Sequence, residues 1–130
     1  MSDEEKKVKK EVKKIIKATI KNMESISIYR PEFDSTIKAY AEMRQQYDHL
    51  MIEFYESGCK ITEEYTNNAG FTNIRKTATY IALESLRKEI LNHENTLGLT
   101  PAGLKKINNT STVKKKVSKL GKALSEIAQQ

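Results

Sequence analysis

The sequence predicts an all-α protein, and three observations carry that expectation. Two prolines and five glycines punctuate 130 residues, leaving residues 1–30, 32–57 and 71–97 free of both. These stretches are rich in Lys, Glu, Ala, Leu and Ile, residues that favour helix on propensity. Within each, apolar side chains recur at helical spacing. The length suits one domain. The expected layout is a basic amphipathic N-terminal helix in residues 1–30, a long helical hairpin core in 31–108 and a basic, flexible tail in 109–130.

The first helix should span about residues 4–24. At 100° per residue, Val8, Val12, Ile15, Ile16, Thr19, Ile20 and Met23 fall on one arc about 140° wide. Lys6, Lys7, Lys10, Lys13, Lys14, Lys17 and Lys21 occupy the opposite arc, with Lys9 at its edge. Asp3, Glu4 and Glu5 stand in the first turn, where the helix dipole favours negative charge.

Pro31 is a favoured first helical residue and Gly58 a good stop, so the second helix lies between them, ~39 Å long at 1.5 Å per residue. Phe33, Ile37, Tyr40, Met43, Tyr47, Leu50, Met51 and Phe54 form its apolar stripe, with Arg44 inside it. Arg44 reads either as a snorkelling side chain whose head reaches water or as half of an ion pair across a subunit boundary.

In residues 59–73, Cys59, Ile61 and Tyr65 alternate with polar neighbours before the turn-forming Asn67-Asn68-Ala69-Gly70. A plain loop is the expectation and a short hairpin the alternative. The third helix should run from about Asn73 to Leu97. Ile74, Ala78, Ile81, Ala82, Leu83, Leu86, Ile90 and Leu97 sweep an arc of about 200°, wider than one facing helix covers, with Tyr80 and Leu91 outside it. Further partners are therefore expected: the first helix, other subunits, or both.

Leu97-Gly98-Leu99-Thr100-Pro101 stops one helix and starts another: Gly98 past the end, Thr100 as N-cap, Pro101 at the first position. The short helix that follows, Ala102 to about Asn108, returns Leu104 and Ile107 to the bundle. In the tail, Val113, Val117, Leu120, Leu124 and Ile127 recur at spacings of 4, 3, 4 and 3, a marginal helix weakened by Gly121.

Several function classes lack their residues. No GxxxxGK[ST] or GxGxxG motif offers a phosphate-cradling loop. His49 and His93 have no Cys or His at metal spacing, and Glu89 and His93 at i and i+4 read as a solvated helix contact. Cys59 beside Lys60 has no local histidine to activate it, and a single cysteine forms no intrachain disulfide. No catalytic constellation, metal site or cofactor site is expected, so the reading is against an enzyme. No apolar run approaches the ~20 residues of a membrane span, and no signal peptide opens the chain.

The run Leu97-Gly98-Leu99-Thr100-Pro101 closes a helix that follows a long helix of Asp34-x5-Tyr40 type and a Gly58 stop. This arrangement resembles the phage terminase small subunit, a family whose last core helix ends in LGLTP. Ala102, Lys105, Lys106 and Ile107 continue its pattern, while Leu104 stands where an arginine is usual and Asn73-Ile74 where Asn-Pro is frequent. The similarity covers roughly residues 32–107. It implies a homo-oligomer, a ring, that binds double-stranded viral DNA for packaging in the host bacterial cytoplasm. It further implies delivery of that DNA to a large subunit carrying the ATPase and nuclease. The ring would give the wide apolar arc a use, and Arg44, Tyr40, Tyr47, Leu86 and Ile90 are the expected oligomer interface.

Charge distribution locates the expected DNA contacts. Residues 1–30 carry nine basic and five acidic side chains, residues 31–100 seven and eleven, and residues 101–130 seven and one. A mildly acidic middle thus joins two basic ends. The first 30 residues show no helix-turn-helix, so Lys6, Lys7, Lys9, Lys10, Lys13, Lys14, Lys17 and Lys21 should meet phosphates and read little sequence. Their alternative is a solvated helix face. A membrane role is disfavoured, because Val, Ile and one Met replace the usual Trp, Phe or Leu anchors. In the tail, Lys114, Lys115, Lys116, Lys119 and Lys122 read as a polybasic arm on DNA or as part of a docking helix for the large subunit. The competing function is a small helical DNA-binding regulator acting as a dimer.

Overall fold

Three long helices run up, down and up in chain order, with a β-hairpin joining the second to the third. A computed structural model describes residues 1–109 and 124. Helix α1 spans Asp3–Ser25, α2 Asp34–Glu56 and α3 Ala78–Leu97; strands β1, Thr62–Thr66, and β2, Thr72–Lys76, pair antiparallel between α2 and α3. A single 3-10 turn, Pro31–Phe33, leads into α2. A further helical run covers residues 101–109. Of the tail, Leu124 alone is described, and it is helical and exposed. Val113, Val117, Leu120, Ile127 and all five tail lysines lie outside the described residues.

The fold is mostly helical, and the all-α expectation is corrected by the hairpin. Where a plain loop was expected, Asn67 Oδ1 accepts hydrogen bonds from the backbone N–H groups of Ala69 and Phe71, both at 3.0 Å. Gly70 supplies a positive φ of 87°. That turn folds Thr72–Lys76 back onto Thr62–Thr66, and their Thr, Tyr and Ile side chains suit a pleated ribbon. The start of the third helix shifts accordingly, from Asn73 to Ala78. Thr77 caps it, its hydroxyl accepting from Tyr80 N–H at 3.2 Å.

All three long helices stop in the same way. After α1, Ile28 N–H bonds the Met23 carbonyl; after α2, Cys59 bonds Phe54; after α3, Leu99 bonds Glu94. In each case the residue before the donor takes a left-handed φ: Ser27 at 61°, Gly58 at 81° and Gly98 at 74°. This is the Schellman arrangement, which satisfies carbonyls that the helix leaves open.

The core sits at one end of the molecule. Met23, Ile28, Ile37, Tyr40, Ile90 and Leu97 form a buried cluster, flanked by Ile16, Ile20, Phe33, Leu86, Leu104 and Ile107. The LGLTP run closes that end. Thr100 Oγ1 accepts from Gly103 N–H at 3.0 Å and donates to the Asn95 side chain. At Gly103 a Cβ would stand 2.1 Å from the Asn95 carbonyl oxygen, so the 101–109 helix crosses α3 where only glycine fits.

Candidate nucleic-acid interface

Helix α1 is built to hold one face against α2 and the other in water. The Ser2 side chain caps it, accepting from Glu5 N–H at 3.2 Å, and Asp3, Glu4 and Glu5 complement its dipole. Thr19 and Met23 are buried, Val12, Ile15, Ile16 and Ile20 are half-buried, and Gln45 of α2 donates to Glu11 at 3.4 Å. Thr19 satisfies its own hydroxyl on the Ile15 carbonyl at 2.8 Å.

The opposite face carries Lys6, Lys7, Lys9, Lys10, Lys13, Lys14, Lys17 and Lys21, all exposed. Among the described residues none of the eight forms an ion pair. From Lys6 to Lys21 the row extends for about 22 Å at 1.5 Å per residue. A duplex presents roughly 13 phosphate charges over that length, at one per ~1.7 Å.

Packing adds a cation that the sequence did not associate with this face. Lys38 of α2 lines, with Lys9, Lys13, the carboxylate of Glu42 and an apolar floor of Val8, Val12 and Ile16, an open groove of about 480 Å³. At the opposite end of α1, Arg30 and Lys106 both line a second open cavity of about 650 Å³. Nothing in residue spacing joins Lys38 to Lys9; only the antiparallel docking of α1 on α2 does.

The residues expected at an oligomer interface make contacts within the chain. Arg44 pairs within its own chain with Glu94, at 3.6 Å, and Tyr40 donates to the same carboxylate at 3.0 Å. Burial, and then the Glu94 hydrogen bond, push the Tyr40 hydroxyl up to about 12. Tyr40 and Ile90 are buried in the chain's own core, and half-buried Leu86 packs against it. Tyr47 accepts a hydrogen bond from Arg87 Nε at 3.2 Å. These residues tie α2 to α3. Large exposed apolar side chains lie elsewhere: Ile52 and Tyr55 late in α2, Ile61, Tyr65, Phe71 and Ile74 on or beside the hairpin, Ile81 and Leu91 on α3, Met1, Val8 and Ile26 at the start and end of α1, and Leu124 in the tail.

Chemistry elsewhere is sparse. Among the described residues no group of three or more His, Cys, Asp or Glu could hold a metal ion. His93 turns Nδ1 to the Glu89 backbone carbonyl at 2.8 Å. Cys59 is exposed. Among the described residues, no helix is long and apolar enough to cross a membrane.

The family model described as phage terminase, small subunit, matches residues 12–114. The chain belongs to the phage terminase small-subunit family. The match takes in all but the first nine residues of α1, the hairpin, α3 and the LGLTP closure. Small subunits of this family are non-catalytic. No curated protein and no solved structure matches the chain.

Proposed function

We propose that this chain recognises viral double-stranded DNA for packaging through the lysine face of α1, and presents it to the large ATPase and nuclease subunit in the host cytoplasm. The observation that carries this reading is the row of eight exposed lysines without ion-pair partners among the described residues, on a helix anchored by its other face. Lysines at this spacing meet phosphates as point charges, so they give affinity and strong salt dependence with little base reading. A homo-oligomeric ring multiplies the contact, because each copy contributes its own helix at high local concentration. Family membership supports the DNA and large-subunit partners. In the ring reading, the apolar rim of Ile52, Tyr55, Phe71, Ile74, Ile81 and Leu91 faces neighbouring copies.

The test is a DNA-binding isotherm across a salt series, for the native chain and a Lys6, Lys10, Lys13, Lys17→Gln variant. Each lost phosphate contact lowers the log–log salt slope by about 1. The expected result is a markedly shallower slope and weaker binding to every duplex alike. Unchanged slope and affinity would move the contact to the tail or the core. Native mass spectrometry separates the ring from the dimeric regulator.

A further inference from the structure

The β-hairpin is a two-stranded ribbon with both outer edges open. All ten residues of β1 and β2 are exposed. The register pairs Thr62 with Lys76, Glu63 with Arg75, Glu64 with Ile74, Tyr65 with Asn73 and Thr66 with Thr72. Hydrogen bonds from Asn67 N–H to the Phe71 carbonyl and from Thr77 N–H to the Ile61 carbonyl bracket this ladder. Antiparallel strands alternate, so residues 63, 65, 73 and 75 bond inward. Residues 62, 64 and 66 of β1, and 72, 74 and 76 of β2, therefore turn their N–H and C=O groups outward to the free edges.

Proteins usually blunt such edges with very short strands, charged side chains, proline or a bulge. Here the register is unbroken, neither strand contains proline, and Lys76 is held by Glu84 at 3.0 Å. A lone two-stranded ribbon is marginal in water. This one also leaves Phe71 and Ile74 69% and 75% exposed.

The two edges differ in charge. β1 carries Glu63 and Glu64, and β2 carries Arg75 and Lys76. Within the hairpin, Arg75 Nε bonds Glu63 at 3.0 Å, its guanidinium lies 4.1 Å from the Tyr65 ring centroid, and the Thr66 and Thr72 hydroxyls stand 3.1 Å apart. Every one of these pairs joins a β1 residue to a β2 residue, so the same set is available where β2 of one copy meets β1 of another. Glu64 has no ion-pair partner among the described residues.

We propose that the hairpin is an assembly joint: the basic edge of β2 pairs antiparallel with the acidic edge of β1 in a second copy of this chain, in the hairpin's own register. The contact is heterologous, each copy using two different edges, so its repetition gives the ring of the oligomeric reading where the rotation from copy to copy closes, and an open filament where it does not. Arg75 then lies between the Glu63 of its own chain and the Glu63 of the neighbour. Glu64 of the neighbour stands diagonally from Lys76. This inference rests on the oligomeric reading above and adds where and in which direction the copies join.

In that register Asn73 faces Tyr65 of the next copy as a non-hydrogen-bonded pair, with Cα atoms about 4.5 Å apart, inside disulfide range. In a Cys59→Ser background, chains bearing Asn73→Cys are mixed with chains bearing Tyr65→Cys and oxidised. Covalent dimers are expected in the mixture and from neither variant alone. As a second measurement, Ile74→Pro removes one outward N–H and leaves the inward bonds intact. It should raise the dissociation concentration at least tenfold with an unchanged far-UV spectrum. Dimers from Asn73→Cys alone would show a symmetric β2–β2 contact and overturn the proposal. Oligomers in native mass spectrometry without cross-links in the mixture would overturn it while leaving the ring intact. Monomers alone would remove both.

Discussion

The two ends of this small subunit are built on opposite principles. At one end, Met23, Ile37 and Leu97 have no exposed surface, the turns after α1 and α3 meet, and the 101–109 helix crosses α3 at Gly103. At the other, the hairpin is exposed along both strands, and Ile52, Tyr55, Phe71, Ile74 and Ile81 face water. Burial of apolar area is the main favourable contribution to folding. Most of the chain's buried apolar cluster therefore lies at the LGLTP end, with Leu83 buried nearer the start of α3, and most of its unburied apolar area lies at the hairpin end, Ile26 excepted.

The largest expected effect tests that division directly. Leu97→Ala should cost the monomer about 2–5 kcal/mol in denaturant unfolding, the range for a large buried side chain. Phe71→Ser should change monomer stability by no more than about 0.5 kcal/mol, and weaken self-association measured by sedimentation. Equal losses of monomer stability at the two positions would abolish the distinction between the ends.

A smaller effect sharpens the boundary of the stable end. Tyr40→Phe removes the hydrogen bond to Glu94, an expected loss of about 1 kcal/mol at neutral pH. Because the folded chain raises the Tyr40 hydroxyl from 10.0 to about 12, its proton is held more tightly in the folded state than in the unfolded one. That contribution is complete below pH 10 and is lost as pH rises through about 12. The stability gap between the native chain and Tyr40→Phe should therefore narrow across that window, as read by unfolding at several alkaline pH values. A gap independent of pH would mean that the hydroxyl is not what couples α2 to α3 there.

The smallest effect concerns the turn after α1. Ser27 takes a φ of 61°, where the equivalent turns after α2 and α3 use glycine. Relief of left-handed strain, about 1–2 kcal/mol, exceeds the added freedom of an unfolded glycine, about 0.4–1 kcal/mol. Ser27→Gly should stabilise by about 0.5 kcal/mol in thermal unfolding, and a loss would show that the Ser27 side chain contributes more than its backbone strain costs.

Helix boundaries were legible wherever a residue type has a single local use. Pro31, Gly58, Gly98 and Thr100 each mark an end by cap chemistry, and the structure turns the chain into or out of helix at those marks. The hairpin was less legible, because the alternation of Cys59, Ile61 and Tyr65 with polar neighbours has no counterpart in Thr72–Lys76, where Ile74 is the single apolar residue. Ile74 happens to fall in helical phase with Ala78 and Ile81, which drew the third helix five residues too far back. Thr77 as N-cap was the overlooked signal. The lysine face of α1 could be read because amphipathicity is a property of one helix. The groove that Lys38 shares with Lys9 and Lys13, and Glu94 bound by both Tyr40 and Arg44, could not, since both depend on how two helices dock.

The order of the helices has a kinetic consequence. Each element packs chiefly on its neighbour in the sequence: α1 on α2, β1 on β2, α2 on α3. Chains dominated by such near-sequence pairings fold in microseconds to milliseconds. Assembly of subunits takes milliseconds to minutes and depends on concentration. In the proposed assembly, a newly made chain completes its own fold before it joins another copy, and its apolar, edge-bearing end waits in water for that interval. How long the wait lasts is set by how much of the protein the host cell is making.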